Sequence, residues 1–126
     1  MISPDARGVV DARVVAIVKD LFFVARIRET ARLAGVPLVF ARTPEELAEA
    51  LAEPARLVLL DLTAAFDYAR LFAAVEAASP RPPVLAFTTH ALASVTKPLH
   101  ERCDRVVTKE TLTQELPSLL KEGIAA

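Results

Sequence analysis

One carboxylate lies at the end of an apolar run. In α/β folds, the ends of such runs often hold the residues that bind ligands or take part in reactions. Asp61 closes the run 57–60 and is followed by Leu62 and Thr63. A charged group at the end of a buried strand is costly unless a partner or a function compensates for it. Two interpretations follow. Either Asp61 caps the turn that begins at Thr63, or it belongs to a ligand-binding or reactive site.

Four further polar side chains stand at or just after the ends of other apolar runs: Lys19, Asp20, Thr88 and Lys109. The carboxyl ends of parallel strands lie along the same edge of a sheet, and open α/β sheets bind ligands outside that edge. We therefore expect two carboxylates, a hydroxyl and two ammonium groups to converge there. Such groups, contributed by four separated segments, are unlikely to meet at one edge by chance.

The elements that would position these residues alternate along the chain. Short apolar or β-branched runs predict strands, and longer segments rich in Ala, Glu, Leu and Arg predict helices. The strands are expected at Val14–Val18, Leu38–Ala41, Leu57–Leu62, Val84–Thr88 and Val106–Thr108, and the helices at about 20–34, 44–53, 66–78, 91–102 and 113–122. This alternation predicts an α/β fold, a doubly wound five-stranded parallel sheet with five helices.

Local signals mark several helix ends. Thr43 before Pro44 is typical of a helix start, and Gly35 and Gly123 stand where helices are expected to end. Pro98 and Pro117 fall within predicted helices, so each should mark a kink or a later helix start.

Composition narrows the function classes. The chain has 126 residues, enough for one domain, which we place at 13–122 between a loose tail at 1–12 and a short tail at 123–126. Fifteen basic and 16 acidic residues give a net charge of −1, which argues against a nucleic-acid partner. No apolar stretch is long enough to span a membrane, and the first residues lack the basic and apolar regions that are typical of a signal peptide. A single cysteine suits a cytoplasmic protein.

The set of residues at the predicted sheet edge resembles the receiver domain of bacterial two-component response regulators, the CheY-like fold. The stretches that carry the resemblance are 57–62, 83–88 and 103–109. It implies the strand order 2-1-3-4-5. It also implies that Asp61 is the phosphoacceptor, that Thr88 supplies the switching hydroxyl, that Lys109 pairs with the acceptor carboxylate, and that Asp20 and Asp61 bind Mg²⁺.

The chain departs from that family at the metal pocket. The residue before Asp20, an acid in the family, is Lys19, so the charges of Lys19, Asp20, Asp61 and Lys109 sum to zero. Mg²⁺ depends on carboxylate ligands, so its binding should be weakened greatly. The ammonium of Lys19 is expected either beside Asp61, in place of the metal, or in solvent.

Four other residues also depart from the family. Ala64-Ala65 replaces the usual Met-Pro, Glu110 replaces the proline after the lysine, and Val106 replaces the aromatic switch residue. Together these departures favour a stand-alone pseudo-receiver, a protein-docking module that works without phosphorylation.

Two alternatives stay open. The first is a working receiver that cycles through a Mg²⁺-dependent aspartyl phosphate at Asp61, with at most self-phosphorylation and dephosphorylation as its activity. The second, more remote, is a flavodoxin-like small-molecule binder.

The expected partners are signalling proteins, namely a histidine kinase, a phosphotransfer protein or an output protein, and a homodimer is a further alternative. Phe22, Phe23 and Val106 are the candidates for a contact surface.

Overall fold

The chain folds into a five-stranded parallel sheet flanked by helices. A computed structural model describes residues 12–124. The strands are β1 (Arg13–Ile17), β2 (Leu38–Phe40), β3 (Ala55–Asp61), β4 (Val84–Thr88) and β5 (Arg105–Thr108), and the helices are α1 (Leu21–Ala34), α2 (Pro44–Ala50), α3 (Tyr68–Ala77), α4 (Ala93–His100) and α5 (Lys109–Glu122). A single 3₁₀ turn, His90–Leu92, precedes α4. The strand order is β2-β1-β3-β4-β5, with every pair parallel, so the predicted fold class and order are confirmed.

The central strands are apolar on both faces because helices cover both sides of the sheet. Alternate residues of a strand point to opposite faces, and the two buried clusters follow that alternation. One cluster joins Val14, Leu57 and Leu85 to residues of α1 and α5. The other joins Val15, Val58 and Val84 to residues of α2 and α3. Helices therefore pack against the sheet from both sides.

Most helix ends follow the local signals, and one does not. Thr43 caps α2 by accepting a hydrogen bond from Glu46 N at 3.1 Å, and Gly35 ends α1 with φ 70°. The last helix was expected to begin near 113, but it begins at Lys109, because the hydroxyl of Thr108 caps it by accepting a bond from Thr111 N. A late start at Pro117 is therefore wrong, since that proline lies inside α5.

The predicted tails fall mostly outside the described residues. Positions 1–11 and 125–126 lie beyond them, whereas Ala12 is buried and its carbonyl accepts a hydrogen bond from Arg56. Ile124 packs against the cluster that α1 and α5 form with the sheet. Between residues 12 and 124, none of the helices combines the length and the apolar character that a bilayer crossing requires.

Candidate functional site

The sheet register brings the predicted residues to one edge. Asp61 pairs with Phe87 at the end of β3, and Thr88 pairs with Thr108 at the end of β4. Lys109 follows Thr108 directly. Lys19 and Asp20 follow β1, whose last residue, Ile17, pairs with Leu60. The predicted convergence is therefore present, and its chemistry depends on which groups are paired with which.

Asp61 is buried, with only 1% of its surface exposed, and its carboxylate is held by its own loop. Its Oδ1 accepts hydrogen bonds from Thr63 N at 2.7 Å and from Thr63 Oγ1 at 2.5 Å. Its Oδ2 accepts a longer bond from the backbone N–H of Lys19 at 3.4 Å. The contacts are those of an Asp that caps the turn after its strand. Sequence reasoning named Thr63 only as the start of that turn, although the two-residue spacing already signals this bond.

Lys109 lies beside Asp20 and not beside Asp61. Its Nζ donates to Asp20 Oδ2 at 2.7 Å and lies 5.0 Å from the centroid of the Phe23 ring. The other oxygen of Asp20, Oδ1, caps α1 by accepting bonds from Phe22 N at 2.9 Å and Phe23 N at 3.3 Å. The hydrogen bond from Lys109 is the main cause that lowers the pKa of Asp20, and the backbone donor at Phe23 adds to it.

The expected pairing of Lys109 with the Asp61 carboxylate is thus not the one in this structure. The reason lies in how the helices pack. Helices α1 and α5 pack against each other, so the first residue of α5 meets the residue that caps α1.

Lys19 contacts Asp61 through its backbone, while its ammonium turns elsewhere. The Nζ approaches the carbonyl oxygen of Ala65 at 3.5 Å and lies 5.3 Å from the centroid of the Phe66 ring. Within residues 12–124, the ion pairs include neither Lys19 nor Asp61. An ammonium that replaces the metal beside Asp61 is therefore absent from this arrangement, and the side chain lies exposed on the neighbouring loop.

The hydroxyl of Thr88 already takes part in a series of buried hydrogen bonds. It accepts a hydrogen bond from Thr96 Oγ1 at 3.0 Å, and the same Thr96 oxygen lies 2.9 Å from His100 Nε2. Thr88 and Thr96 are both buried. Sequence reasoning did not single out Thr96. Its four-residue spacing from His100 places the two on one face of a helix, but nothing in the sequence shows that this face meets Thr88.

Tyr68, which sequence reasoning also missed, connects α3 to the loop after Asp61 by hydrogen bonds. Its hydroxyl lies 2.8 Å from the Asp61 carbonyl oxygen and 2.7 Å from that of Ala64, so one proton serves two acceptors. Burial, with a smaller contribution from the Asp61 charge, raises the pKa of the phenol to about 12. Tyr68 therefore holds the loop as a neutral donor across the whole physiological pH range.

The donor set does not fit Mg²⁺ well. Both oxygens of Asp20 already accept hydrogen bonds, and Asp61 is buried with Oδ1 bonded twice. No cluster of three or more Asp, Glu, His or Cys side chains with metal-binding geometry occurs in the described part of the chain. A magnesium site normally uses one or two accessible carboxylates together with waters. Mg²⁺ would compete with protein donors at both oxygens of Asp20 and at Asp61 Oδ1, whereas Asp61 Oδ2, with one bond of 3.4 Å, is the least engaged oxygen of the two carboxylates.

The expected contact surface divides into exposed and buried parts. Phe22 is 91% exposed and Leu21 is 80% exposed, at the start of α1. Phe23 is only 4% exposed, because its ring packs edge-to-face on Phe87 with 5.1 Å between centroids. Val106 is half-buried on β5. Phe23 is therefore a core residue, and Phe22 alone supplies an exposed aromatic ring there.

Comparison with solved structures places this fold among receiver domains. A response regulator from Hahella chejuensis superposes with a TM-score of 0.71 at 16% identity, over 91% of this chain and 99% of the other. The receiver domain of a sensor histidine kinase from Pseudomonas aeruginosa, which holds a magnesium ion in its active-site cleft, gives 0.71 at 15% identity over 91% and 98%. A chemotaxis response regulator of Vibrio cholerae gives 0.65 at 20% identity over 86% and 98%.

No protein-family model matches the sequence, and no curated protein matches it significantly. At these identities the likeness establishes the fold, which is that of the CheY-like receivers.

Proposed function

We propose that this chain is a receiver-like signalling domain that acts by protein contacts, without a phosphorylation cycle at Asp61. The observation that carries the proposal is the pairing at the site. Lys109, at the position of the receiver lysine, is bonded to Asp20 at 2.7 Å, while Asp61 is buried and capped by Thr63. An acceptor carboxylate reacts as a nucleophile only when it is accessible and its charge is balanced in the transition state.

The absence of a third carboxylate supports the same conclusion. Lys19 stands where a metal-ligating acid would complete the pocket, and the two acids that remain are engaged with protein donors. Phosphoryl transfer in this kind of site depends on a cation that neutralises the developing charge. The hydroxyl of Thr88 also accepts a buried hydrogen bond from Thr96, which would be lost if the side chain turned toward a phosphoryl group.

We assign the docking role to the exposed start of α1, where Leu21 and Phe22 present apolar surface to solvent. The partners would be the signalling proteins that receivers meet: a histidine kinase, a phosphotransfer protein or an output protein. A cytoplasmic location belongs to the same proposal.

Intact mass after incubation with acetyl phosphate and Mg²⁺ tests the proposal. A receiver of known activity, treated in parallel, shows that the reagent works. We expect no gain of a phosphoryl group in the natural sequence. A gain that disappears in Asp61→Ala would contradict the proposal and establish a working receiver.

Two substitutions at one position separate the reasons for inactivity. Lys19→Asp restores a carboxylate at the metal pocket, whereas Lys19→Met removes the ammonium without adding a ligand. A gain of mass in Lys19→Asp alone would show that the missing ligand disables the site. A gain in both would show that the ammonium itself inhibits it.

A further inference from the structure

A concave site lies beside the sheet edge, next to the loop that follows Asp61. Its walls come from the segment after β1, the first turns of α1, the connection from β2 to α2 and the loop after β3. Its volume is about 550 Å³, within the range of cavities that hold small organic ligands. The cleft lies by the carboxyl ends of β1 and β3, the neighbouring strands where the strand order of this fold reverses and where ligands bind in related open sheets.

The lining of this cleft is cationic. Lys19, Arg28 and Arg42 contribute three positive side chains, and Asp67 contributes one negative side chain. The Asp67 carboxylate is used by its own helix, where it accepts a bond from Arg70 N at 3.2 Å. Among residues 12–124, no carboxylate forms an ion pair with any of the three cations. The lining of the cleft therefore has a net positive charge, with three cationic side chains against one carboxylate.

The same walls are aromatic and apolar. The guanidinium of Arg28 lies 5.2 Å from the centroid of the Phe40 ring, and the Lys19 ammonium lies 5.3 Å from that of Phe66. Val18 and Leu71 are buried among the lining residues, and the exposed side chain of Leu21 also lines the cleft. Cations held over aromatic rings beside apolar surface suit a ligand that combines a charged group with a flat body.

We propose that this cleft binds a small organic anion, in which a carboxylate, sulfonate or phosphate ester is attached to an aromatic or other planar apolar body. The anion would lie between Arg28 and Arg42, and the planar body would lie against Phe40 and Phe66. Arginine suits this role because its guanidinium contacts an anion through two parallel hydrogen bonds and stacks on rings. This site goes beyond the docking role proposed above, and it needs no phosphorylation.

The probe for the first test is 1-anilinonaphthalene-8-sulfonate, an aromatic sulfonate whose fluorescence rises in apolar surroundings. Because the chain has no tryptophan and one tyrosine, protein emission interferes little with the titration. We expect saturable binding to one site in the full chain. The double variant Arg28→Gln/Arg42→Gln should weaken binding at least tenfold.

Three controls make the result specific. Arg105→Gln removes an exposed charge at the start of β5, on the opposite edge of the sheet, and should leave binding unchanged. The neutral analogue N-phenyl-1-naphthylamine should bind at least tenfold more weakly than the sulfonate. Circular dichroism must show that each variant unfolds at the same temperature as the natural sequence.

Amide shifts in a ¹⁵N spectrum locate the bound dye. Shifts centred on Val18, Ala41 and Ala65 would support the proposal. Shifts elsewhere, equal binding of the neutral analogue, unchanged affinity in the double variant, or no saturable binding would each overturn it. Binding of an acidic peptide together with failure of the dye would also overturn it, because the occupant would then be a protein segment.

Discussion

The two adjacent phenylalanines at the start of α1 allow a sharp test of how the site is built. Phe23 packs on Phe87 with 5.1 Å between centroids and an interplanar angle of 67°, and the Lys109 ammonium lies 5.0 Å from its ring. Phe22, the next residue along the chain, is 91% exposed. The substitutions Phe23→Ala and Phe22→Ala remove the same atoms, so their difference measures what burial and the ring contacts of Phe23 contribute.

The expected cost of Phe23→Ala follows from that burial. A phenyl ring removes roughly 150 Å² from water, which at about 25 cal/mol/Å² corresponds to about 4 kcal/mol. This agrees with the range of about 3–5 kcal/mol for truncation of a core phenylalanine. It is a large part of the roughly 5–15 kcal/mol that stabilises an ordinary domain. Phe22→Ala should change the free energy of unfolding by less than about 0.5 kcal/mol.

Urea unfolding followed by circular dichroism measures both values, provided that the slope with denaturant is the same in each variant. Phe23→Leu, which keeps most of the apolar volume but loses the edge-to-face contact, should cost less than about 1.5 kcal/mol. Equal losses in the two alanine variants, or a larger loss in Phe22→Ala, would refute the assignment of Phe23 to the core and of Phe22 to the surface.

Three further predictions concern the pairs at the sheet edge. Lys109→Met should raise the pKa of Asp20 toward its ordinary value, because the hydrogen bond from Lys109 is the main cause that lowers it; a ¹³C carboxyl titration measures this pKa. An unchanged pKa would mean that the pair does not form in solution. Tyr68 is the only tyrosine, so its absorbance reports its titration alone, and ionisation should centre near pH 12. The pKa of this phenol in the folded protein lies above its ordinary value of 10.0, so the stability that it contributes is present below pH 10.0 and is lost as the pH rises toward 12. A midpoint near 10 would contradict the buried hydroxyl. Thr96→Val should lower the free energy of unfolding by about 1–3 kcal/mol, because it leaves the buried hydroxyl of Thr88 without its donor. An unchanged free energy in urea unfolding would show that this hydrogen bond does not stabilise the fold.

Sequence patterns were sufficient for the fold class and for the position of the site at the sheet edge, whereas the strand order was implied by the resemblance to receiver domains. Five apolar runs separated by helical segments require a parallel sheet covered on both faces, and parallel strands bring Asp61, Thr88 and Lys109 to a common edge. Helix ends with a local chemical cause were also predictable, such as Thr43 before Pro44 and the left-handed Gly35. The start of α5 was missed because its cap, Thr108, belongs to the end of a strand in the sequence pattern.

The sequence by itself determined which groups reach the sheet edge, because parallel strands place their carboxyl ends along one edge whatever their order. Only the tertiary structure decided which of those groups are paired. Lys109 meets Asp20 because α1 packs on α5, and Thr88 meets Thr96 because α4 lies against β4. Both pairings join residues from separate elements. A hydrogen bond depends on distances of a few tenths of an ångström, which no spacing along the chain specifies. The identity of the charged groups at this site could therefore be read from the sequence. Which of them form hydrogen bonds with each other depends on how the helices pack.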